Sequence, residues 1–333
     1  MPTLTRGESY ALGVGVENAG ARGTFVAAQD YIKTREPANF QTEVEKVAIR
    51  ETKETGFGSQ GEIITAKRVI GDASFNMRYR TIGYLLKSLL GGVSSAAEAG
   101  ETVVYRHTFT LDTAILQPTL SFSLGRGGLQ HKAINGAVVS KLSLAFALND
   151  VINGAFSILG RSETDNADFT EAFAANDYLA PHQMLTFKHA ANVAGLGAAT
   201  GVCITEGAIE LDRQSRDKSC ISSVTPVDFM AKLLNASGSF KLEKADDTFK
   251  TYAEANTSRA IQFSIVNSEQ PIGVGSFPTL TITFPNVTFK TSEERPLDDV
   301  VSDNVEFMAH YDDTAAAGIT VSLVNEKANY LHT

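Results

Sequence analysis

The sequence predicts a mainly β protein made of two tandem β-sandwich or barrel-type domains, each with one short flanking α-helix. Three observations support this fold class. Apolar residues alternate with Thr and Ser in several segments, two short stretches carry apolar residues at helical spacing, and a series of landmarks recurs in the same order along the chain. A chain of 333 residues is also long for a single core, so two domains are expected.

Five segments show the period-two alternation of strands buried on one face. They are HTFTLDT at 107–113, PTLSFSLG at 118–125, SKLSLAFALN at 140–149, TLTITFPNVTFK at 279–290 and GITVSLV at 318–324. Because the polar positions are mostly Thr and Ser, we expect antiparallel strands with one face on a core and the other toward solvent.

Two segments have a helical period instead. In the first, Thr81 is a candidate N-cap and Gly91 a stop. In the second, Thr225 is the cap and Pro226 takes the first helical position. The predicted apolar faces, which should pack on a sheet, are Leu85, Leu86, Leu89 and Leu90 in the first helix and Phe229, Met230, Leu233 and Leu234 in the second.

The order of landmarks predicts an internal duplication. Thr225 follows Thr81 by 144 residues, and the other landmarks recur at offsets of 138 to 141 residues. The matched pairs are Thr108-Phe109 with Thr248-Phe249, Phe122–Leu124 with Phe263–Ile265, Gly136 with Gly275, and Leu142–Phe146 with Leu280–Phe284. We interpret them as two copies of one β-rich unit.

The predicted domain boundaries follow from this repeat. They are an N-terminal arm at 1–24, a first β-rich domain at 25–162, a linker at 163–180, a second β-rich domain at 181–326 and a tail at 327–333. The linker is assigned because the segment is polar and acidic and lacks strand alternation. Asp165 and Asp168 within it lack the spacing of a calcium loop, so a solvated linker is the preferred interpretation.

No motif predicts a catalytic, cofactor or metal site. The glycines from Gly13 to Gly23 do not have the spacing of a dinucleotide-binding fingerprint, and no P-loop or nucleophile elbow occurs. The six histidines and two cysteines form no metal-ligand pattern. We therefore expect no enzyme activity and no cofactor, and the absence of a long apolar segment predicts no membrane span.

The formal net charge of −9 argues against a protein that grips DNA, because such proteins carry basic patches that neutralise phosphates. A surface that meets DNA without retaining it is compatible with this charge.

The chain resembles the major tail tube proteins of long-tailed, siphovirus-like bacteriophages over roughly residues 8–326. The resemblance is carried by the order of several segments: GVENAGARGTFVAA, EKVAIRETKETGFGSQGEII, IGYLLKSLLGG, YRHTFTLDTAILQPTLSFSLGRGG, INGAVVSKLSLAFAL and the closing strands LTITFPNVTFK, NVEFMAHYDD and ITVSLVN. It implies a structural virion protein whose β-sandwiches form rings that stack into a tube for DNA ejection.

The resemblance also implies partners. They are further copies of the chain, as trimers with pseudo-sixfold symmetry or alternatively as hexamers, together with a tape measure protein and tail tip or terminator proteins. DNA passes through such a tube without specific binding, and the protein belongs to the virion after assembly in the bacterial cytoplasm. We expect contacts between rings from the arm 1–23 and the loops 51–61 and 92–101, with candidate residues Gly13, Gly15, Glu17, Thr55, Phe57 and Ser94.

Two other classes remain open at this stage. A carbohydrate-binding or adhesin module also uses β-sandwiches, but it should expose Trp and Tyr, and the chain has no Trp. A hydrolase on a β-scaffold should show a paired acid or a nucleophile motif. Another tail structural protein, such as a terminator or adaptor, is a further alternative.

Overall fold

The structure is a computed structural model that describes residues 10–50, 61–127, 129–166, 169–244, 246–290, 293–297 and 300–332. The elements up to residue 166 are β1 Tyr10–Val16, β2 Asp30–Ile32, β3 Asn39–Ala48, β4 Glu62–Asn76, α1 Ile82–Leu90, β5 Gly91–Ala97, β6 Tyr105–Leu111, β7 Leu120–Arg126, β8 His131–Ala147, β9 Asn153–Gly160 and β10 Ser162–Asn166.

The elements after residue 180 are β11 Leu185–Ala190, β12 Glu206–Asp212, β13 Arg216–Lys218, β14 Asp228–Met230, β15 Asn235–Glu243, α2 Thr248–Glu254, β16 Arg259–Val266, β17 Thr279–Phe289, β18 Glu293–Leu297, β19 Val300–His310 and β20 Thr320–Asn325. The prediction of a mainly β chain is therefore confirmed.

Eight antiparallel strands lie side by side in one sheet, here called the eight-strand sheet. Their order is β3, β4, β9, β8, β12, β15, β19, β17. β8 and β17 also enter other sheets through their first halves, next to irregularities in register. Such bulges let a strand bend and change partners.

Beside this sheet, β18 pairs with the first residues of β19, and β13 and β14 form a separate two-strand sheet. Two further sheets are larger. A five-strand sheet has the order β2, β1, β7, β8, β10. A six-strand sheet has the order β11, β16, β17, β20, β6, β5. Buried residues from the three larger sheets and both helices form one continuous core.

The core side of the eight-strand sheet pairs phenylalanine with glycine across neighbouring strands. Phe146 lies opposite Gly207, and Phe307 lies opposite Gly238. A Cβ at these glycines would stand 2.5 Å and 2.6 Å from the rings. Gly154 and Phe75, on β9 and β4, repeat the arrangement at 2.4 Å. The missing side chain leaves room for the opposite ring.

The first predicted helix is confirmed. α1 spans Ile82–Leu90, and all four leucines of its predicted face are at most 1% exposed. Thr81 precedes it but makes no side-chain capping bond, and Gly91 ends it with φ of 92°. This left-handed φ favours glycine, which explains the stop.

The second predicted helix, starting at Thr225, is wrong. Residues 228–230 form the short strand β14, which pairs with β13. Phe229 is buried, but Leu233 is 83% exposed, so the four apolar residues do not share one buried face. The helix of this half is α2 at Thr248–Glu254, which also removes the proposed match of Thr248-Phe249 with the β6 residues Thr108-Phe109. Two turns of apolar periodicity were outweighed by strand pairing, of β14 with β13 and of β15 with β12.

Three of the predicted boundaries also need correction. Residues 10–16 are not part of an arm, because β1 lies between β2 and β7 inside a sheet. The segment 163–180 is not a solvated linker, since β10 extends the five-strand sheet and Asp177 is 4% exposed. The segment from 327 is not a free tail, because Tyr330 is fully buried.

Six strand pairings in the first half have counterparts in the second. They are β1–β7, β3–β4, β4–β9, β7–β8, β8–β9 and β8–β10, which correspond to β11–β16, β12–β15, β15–β19, β16–β17, β17–β19 and β17–β20. The match of Leu142–Phe146 with Leu280–Phe284 does not fit this correspondence. Leu142 pairs with β9 and β12, whereas Leu280 pairs with β16 and β20.

Candidate functional site

The face of the eight-strand sheet that points away from the core is polar, and we call it the polar face. Its residues alternate with the buried ones along each strand. On β8, for example, Leu142 and Leu144 are buried while Lys141, Ser143 and Ala145 are not. Its uncharged polar members include Asn39, Gln41, Ser74, Asn76, Ser143, Asn153, Ser157, Ser237, Ser239, Asn286, Thr288 and Asn304.

Three lysines of the polar face are paired with carboxylates across strands. Lys141 contacts Glu210 at 2.9 Å, Lys241 contacts Glu206 at 3.2 Å, and Lys290 contacts Glu306 at 3.3 Å. All six side chains are open to solvent, so each pair contributes little to stability. Each pair places a carboxylate beside the lysine ammonium group, so the positive charge is offset locally.

Three further carboxylates lie on the polar face, namely Asp72, Asp212 and Glu243. Asp72 accepts a hydrogen bond from the Ser157 hydroxyl, and Asp212 accepts one from the backbone N–H of Gln214 at 2.8 Å. With the three paired acids, the described residues of the polar face carry six carboxylates against three lysines. The surface is therefore electronegative.

Arg68 lies farther out on β4, on the same side of the sheet. Its guanidinium donates to Glu43 at 2.7 Å and to Asp217 at 2.8 Å. The bonds to Asp217 and then Glu43 raise the pKa of Arg68. Because its donors are already bound to carboxylates, this arginine is not free to hold a phosphate in the bidentate manner that arginines favour.

The candidate contacts in the N-terminal segment lie inside the fold. Gly13 and Gly15 are buried in β1, and a Cβ on Gly15 would stand 2.7 Å from the Ala27 carbonyl oxygen. Glu17 is 4% exposed and accepts hydrogen bonds from Ser121 and from the backbone N–H groups of Gly23 and Gly136, each at 2.7 Å. Gly13 and Gly15 allow close packing of the backbone, and Glu17 forms hydrogen bonds inside the fold. None of these three residues is a surface contact in this chain.

Of the other three candidate contacts, the structure describes Ser94. Ser94 is exposed on β5, an edge strand of the six-strand sheet. Thr55 and Phe57 lie outside the described residues. The strands that flank them, β3 and β4, expose large apolar side chains at Val44, Val47, Ile63 and Ile64.

A buried polar cluster joins the chain end to the first half. The Asp30 carboxylate accepts hydrogen bonds from Arg80 at 2.8 Å and Tyr84 at 2.7 Å, and it contacts Lys327 at 2.9 Å. Burial would raise the pKa of Asp30, but these cations and hydrogen bonds together hold the pKa below its usual value. Tyr330 donates to the Arg80 carbonyl at 2.6 Å. The cluster is a structural anchor.

The described residues contain no group of three or more His, Cys, Asp or Glu side chains that could hold a metal ion. Over the same ranges, neither helix has the length and apolarity to cross a membrane. Cys203 and Cys220 are free and exposed.

The sequence did not reveal the polar face. Its strands come from distant parts of the chain, and only the pairing of β8 with β12 brings the two four-strand halves together. The alternation of polar and apolar residues in β8 and β17 was visible, but alternation does not say which strands are neighbours.

The comparison with known proteins supplies the family. The sequence matches the profile described as phage tail tube protein over residues 19–321. No curated protein matches the chain. Because the profile covers most of the sequence, the chain belongs to the phage tail tube protein family.

Proposed function

We propose that this protein polymerises as stacked rings into a phage tail tube and that the polar face lines the conduit for DNA ejection. The observation that carries the proposal is the eight-strand sheet, which buries one face in the core and leaves an electronegative face open. An open sheet with two edges needs partners to close, and ring closure would remove those edges.

Two tandem tube domains, 25–162 and 181–326, are part of this proposal. The six matching strand pairings support an internal duplication, with β5 and β6 as an extra hairpin in the first copy. Each copy contributes four strands to the eight-strand sheet. Three chains would then close a barrel of about 24 strands with pseudo-sixfold symmetry. A ring of six chains is the alternative.

The electrostatics support passage of DNA without retention. Duplex DNA binds proteins mainly through neutralisation of its phosphates by Lys and Arg. On the polar face the three lysines are each beside a carboxylate, and among the described residues Asp72, Asp212 and Glu243 form no ion pair with a lysine. A phosphate near this wall meets net repulsion. This arrangement suits a passive role in the virion, with no turnover chemistry.

Negative-stain microscopy of the purified protein tests the proposal. Rings or tubes with a central channel are expected. A carbohydrate-binding module or a hydrolase would give dispersed monomers, and this result would reject the tube. A terminator or adaptor would give single rings that never stack. Neither a tape measure protein nor a tail tip protein is needed for the test.

A further inference from the structure

The chain contains one joint between its two four-strand units. β8 ends the unit β3, β4, β9, β8, and β12 begins the unit β12, β15, β19, β17. In this joint Lys141 lies opposite Asp212, Leu142 opposite Leu211, and Ser143 opposite Glu210. Leu142 and Leu211 are 1% and 2% exposed, so the joint closes the core as well as the sheet.

The two outer edges of the sheet repeat the two sides of this joint. Among the described residues β3 pairs with β4 alone, and β17 beyond Val287 pairs with β19 alone. β3 corresponds to β12, and the end of β17 corresponds to the second half of β8. Unpaired edges of this kind are templates for a further strand.

Residue equivalences follow by counting along the paired strands. Phe289 faces Phe307 on β19 as Leu142 faces Phe156 on β9. On the next strand, Ala73 of β4 lies opposite Phe156, and Gly238 of β15 lies opposite Phe307. Two residues earlier on each of these strands, Gly71 therefore corresponds to Ala236. Phe40 lies opposite Gly71, so it corresponds to Leu211, which lies opposite Ala236.

We infer that the same joint forms between two copies of this chain, with residues 39–41 of one copy antiparallel to residues 288–290 of the next. In this register Phe40 lies opposite Phe289, Gln41 opposite Thr288, and Asn39 opposite Lys290. The inference rests on the proposed ring assembly and specifies its contact. Its occupant is a second copy because the chain itself carries both sides of the joint.

The apolar layer supports this register. Phe40 is only half-buried and contacts Phe122 and Phe156 edge-on, with ring centroids at 5.7 Å and 6.2 Å. Its counterpart Leu211 is fully buried because β8 covers it. A second copy would add Phe289 beside Phe40, a cross-strand aromatic pair of a kind that stabilises sheets.

The internal joint also shows which residues can be cross-linked. The Arg213 backbone N–H donates to the Ser140 carbonyl at 2.8 Å, which places the hydrogen-bonded pairs at core-facing positions. The polar-face pairs, such as Lys141 with Asp212, are therefore non-hydrogen-bonded and have the closer Cα atoms, at about 4.5 Å. This separation is within the range of a disulfide. The same reasoning makes Gln41 and Thr288 the pair to test between chains.

The experiment uses the full chain with Cys203→Ser and Cys220→Ser as background. Gln41→Cys with Thr288→Cys, assembled and treated with diamide, should give dimers and higher covalent species on a non-reducing gel. Lys141→Cys with Asp212→Cys should give only an intrachain disulfide. Gln41→Cys with Asn286→Cys, displaced by two residues, should cross-link at least tenfold more slowly. A closed covalent trimer as the largest species would also fix the ring at three chains.

Charge substitutions give a second test that needs no disulfide. In a Lys290→Gln background, which removes the ammonium opposite residue 39, Asn39→Glu with Thr288→Glu should prevent assembly. The two positions are diagonal neighbours in this register, as Glu210 and Lys141 are in the internal joint, so two carboxylates would meet across the joint. Asn39→Glu with Thr288→Lys recreates the Glu210 and Lys141 pair of the internal joint and should restore assembly. This joint would be overturned if rings form without a cross-link between residues 41 and 288 and if neither charge pair affects assembly. The tube proposal would remain. An absence of rings from the parent chain would reject both.

Discussion

At the residue scale, the eight-strand sheet depends on glycines that make room for the opposite strand. Gly238 is one of these tight positions, because a Cβ there would stand 2.4 Å from the Ala208 carbonyl oxygen and 2.6 Å from the Phe307 ring. Gly238→Ala should therefore lower the free energy of unfolding by about 1–3 kcal/mol. Gly197→Ala is the matched control, since no atom beyond the adjoining backbone lies within 4 Å of its Cβ position. Urea denaturation measures both, and equal stabilities would contradict the packing described.

Asp177 provides a prediction of pH dependence. Burial raises the pKa of its carboxyl to about 6, against an ordinary value of 3.8. Between these pH values the folded state holds a proton that the unfolded state has lost, so the stabilising effect is present below pH 4 and disappears as pH rises through 6. The stability of the parent chain relative to Asp177→Asn should therefore fall by about 2–3 kcal/mol from pH 4 to pH 7. Thermal denaturation at several pH values checks this, and a constant difference would refute the raised pKa.

At the element scale, the first segment with helical periodicity forms helix α1 and the second does not form a helix. This difference gives a matched pair of variants. Leu89 on α1 is fully buried, whereas Leu233, which we predicted to lie on an equivalent face, is 83% exposed. Leu89→Ala should cost about 2–5 kcal/mol of unfolding free energy because it leaves a cavity. Leu233→Ala should change stability by less than about 0.5 kcal/mol. Similar losses in both variants would mean that the second segment packs as a helix after all.

Part of the fold could be predicted from local periodicity in the sequence. The strands 120–126, 279–289 and 320–325 and the helix 82–90 follow from local periodicity, since each buries the residues that its pattern selects. The glycines of β1 suggest a flexible arm when the sequence is considered alone, yet close packing in the sheet requires them. The order of the strands in the sheet depends on pairing between residues far apart in the sequence, such as Leu142 with Leu211. The periodicity of one segment carries no information about which strands lie beside it.

At the scale of the whole molecule, an electronegative sheet face that lines a channel should let DNA pass without retaining it. Glu206→Lys, Glu210→Lys and Glu306→Lys together would convert three excess carboxylates on this face into three excess lysines. Tubes of this variant should bind duplex DNA at low salt, with affinity that falls steeply as salt rises. Tubes of the parent chain should bind weakly under the same conditions.

The matched control makes the same change of net charge elsewhere on the surface. Glu254→Lys, Glu269→Lys and Asp313→Lys are at exposed positions outside the eight-strand sheet. Their tubes should keep the parent's weak binding of DNA threaded through the channel. Tight, salt-sensitive binding by the parent chain would favour a DNA-packaging or adaptor role over a conduit.

The most direct test of the central claim is an electron cryomicroscopy reconstruction of the polymer formed by the purified chain. We expect stacked rings in which the eight-strand sheets of neighbouring chains form one closed barrel. Its channel wall should carry Asp72, Glu206, Glu210, Asp212, Glu243 and Glu306, with the lysines beside their acids. A channel lined by another surface, or a net basic wall, would contradict the account.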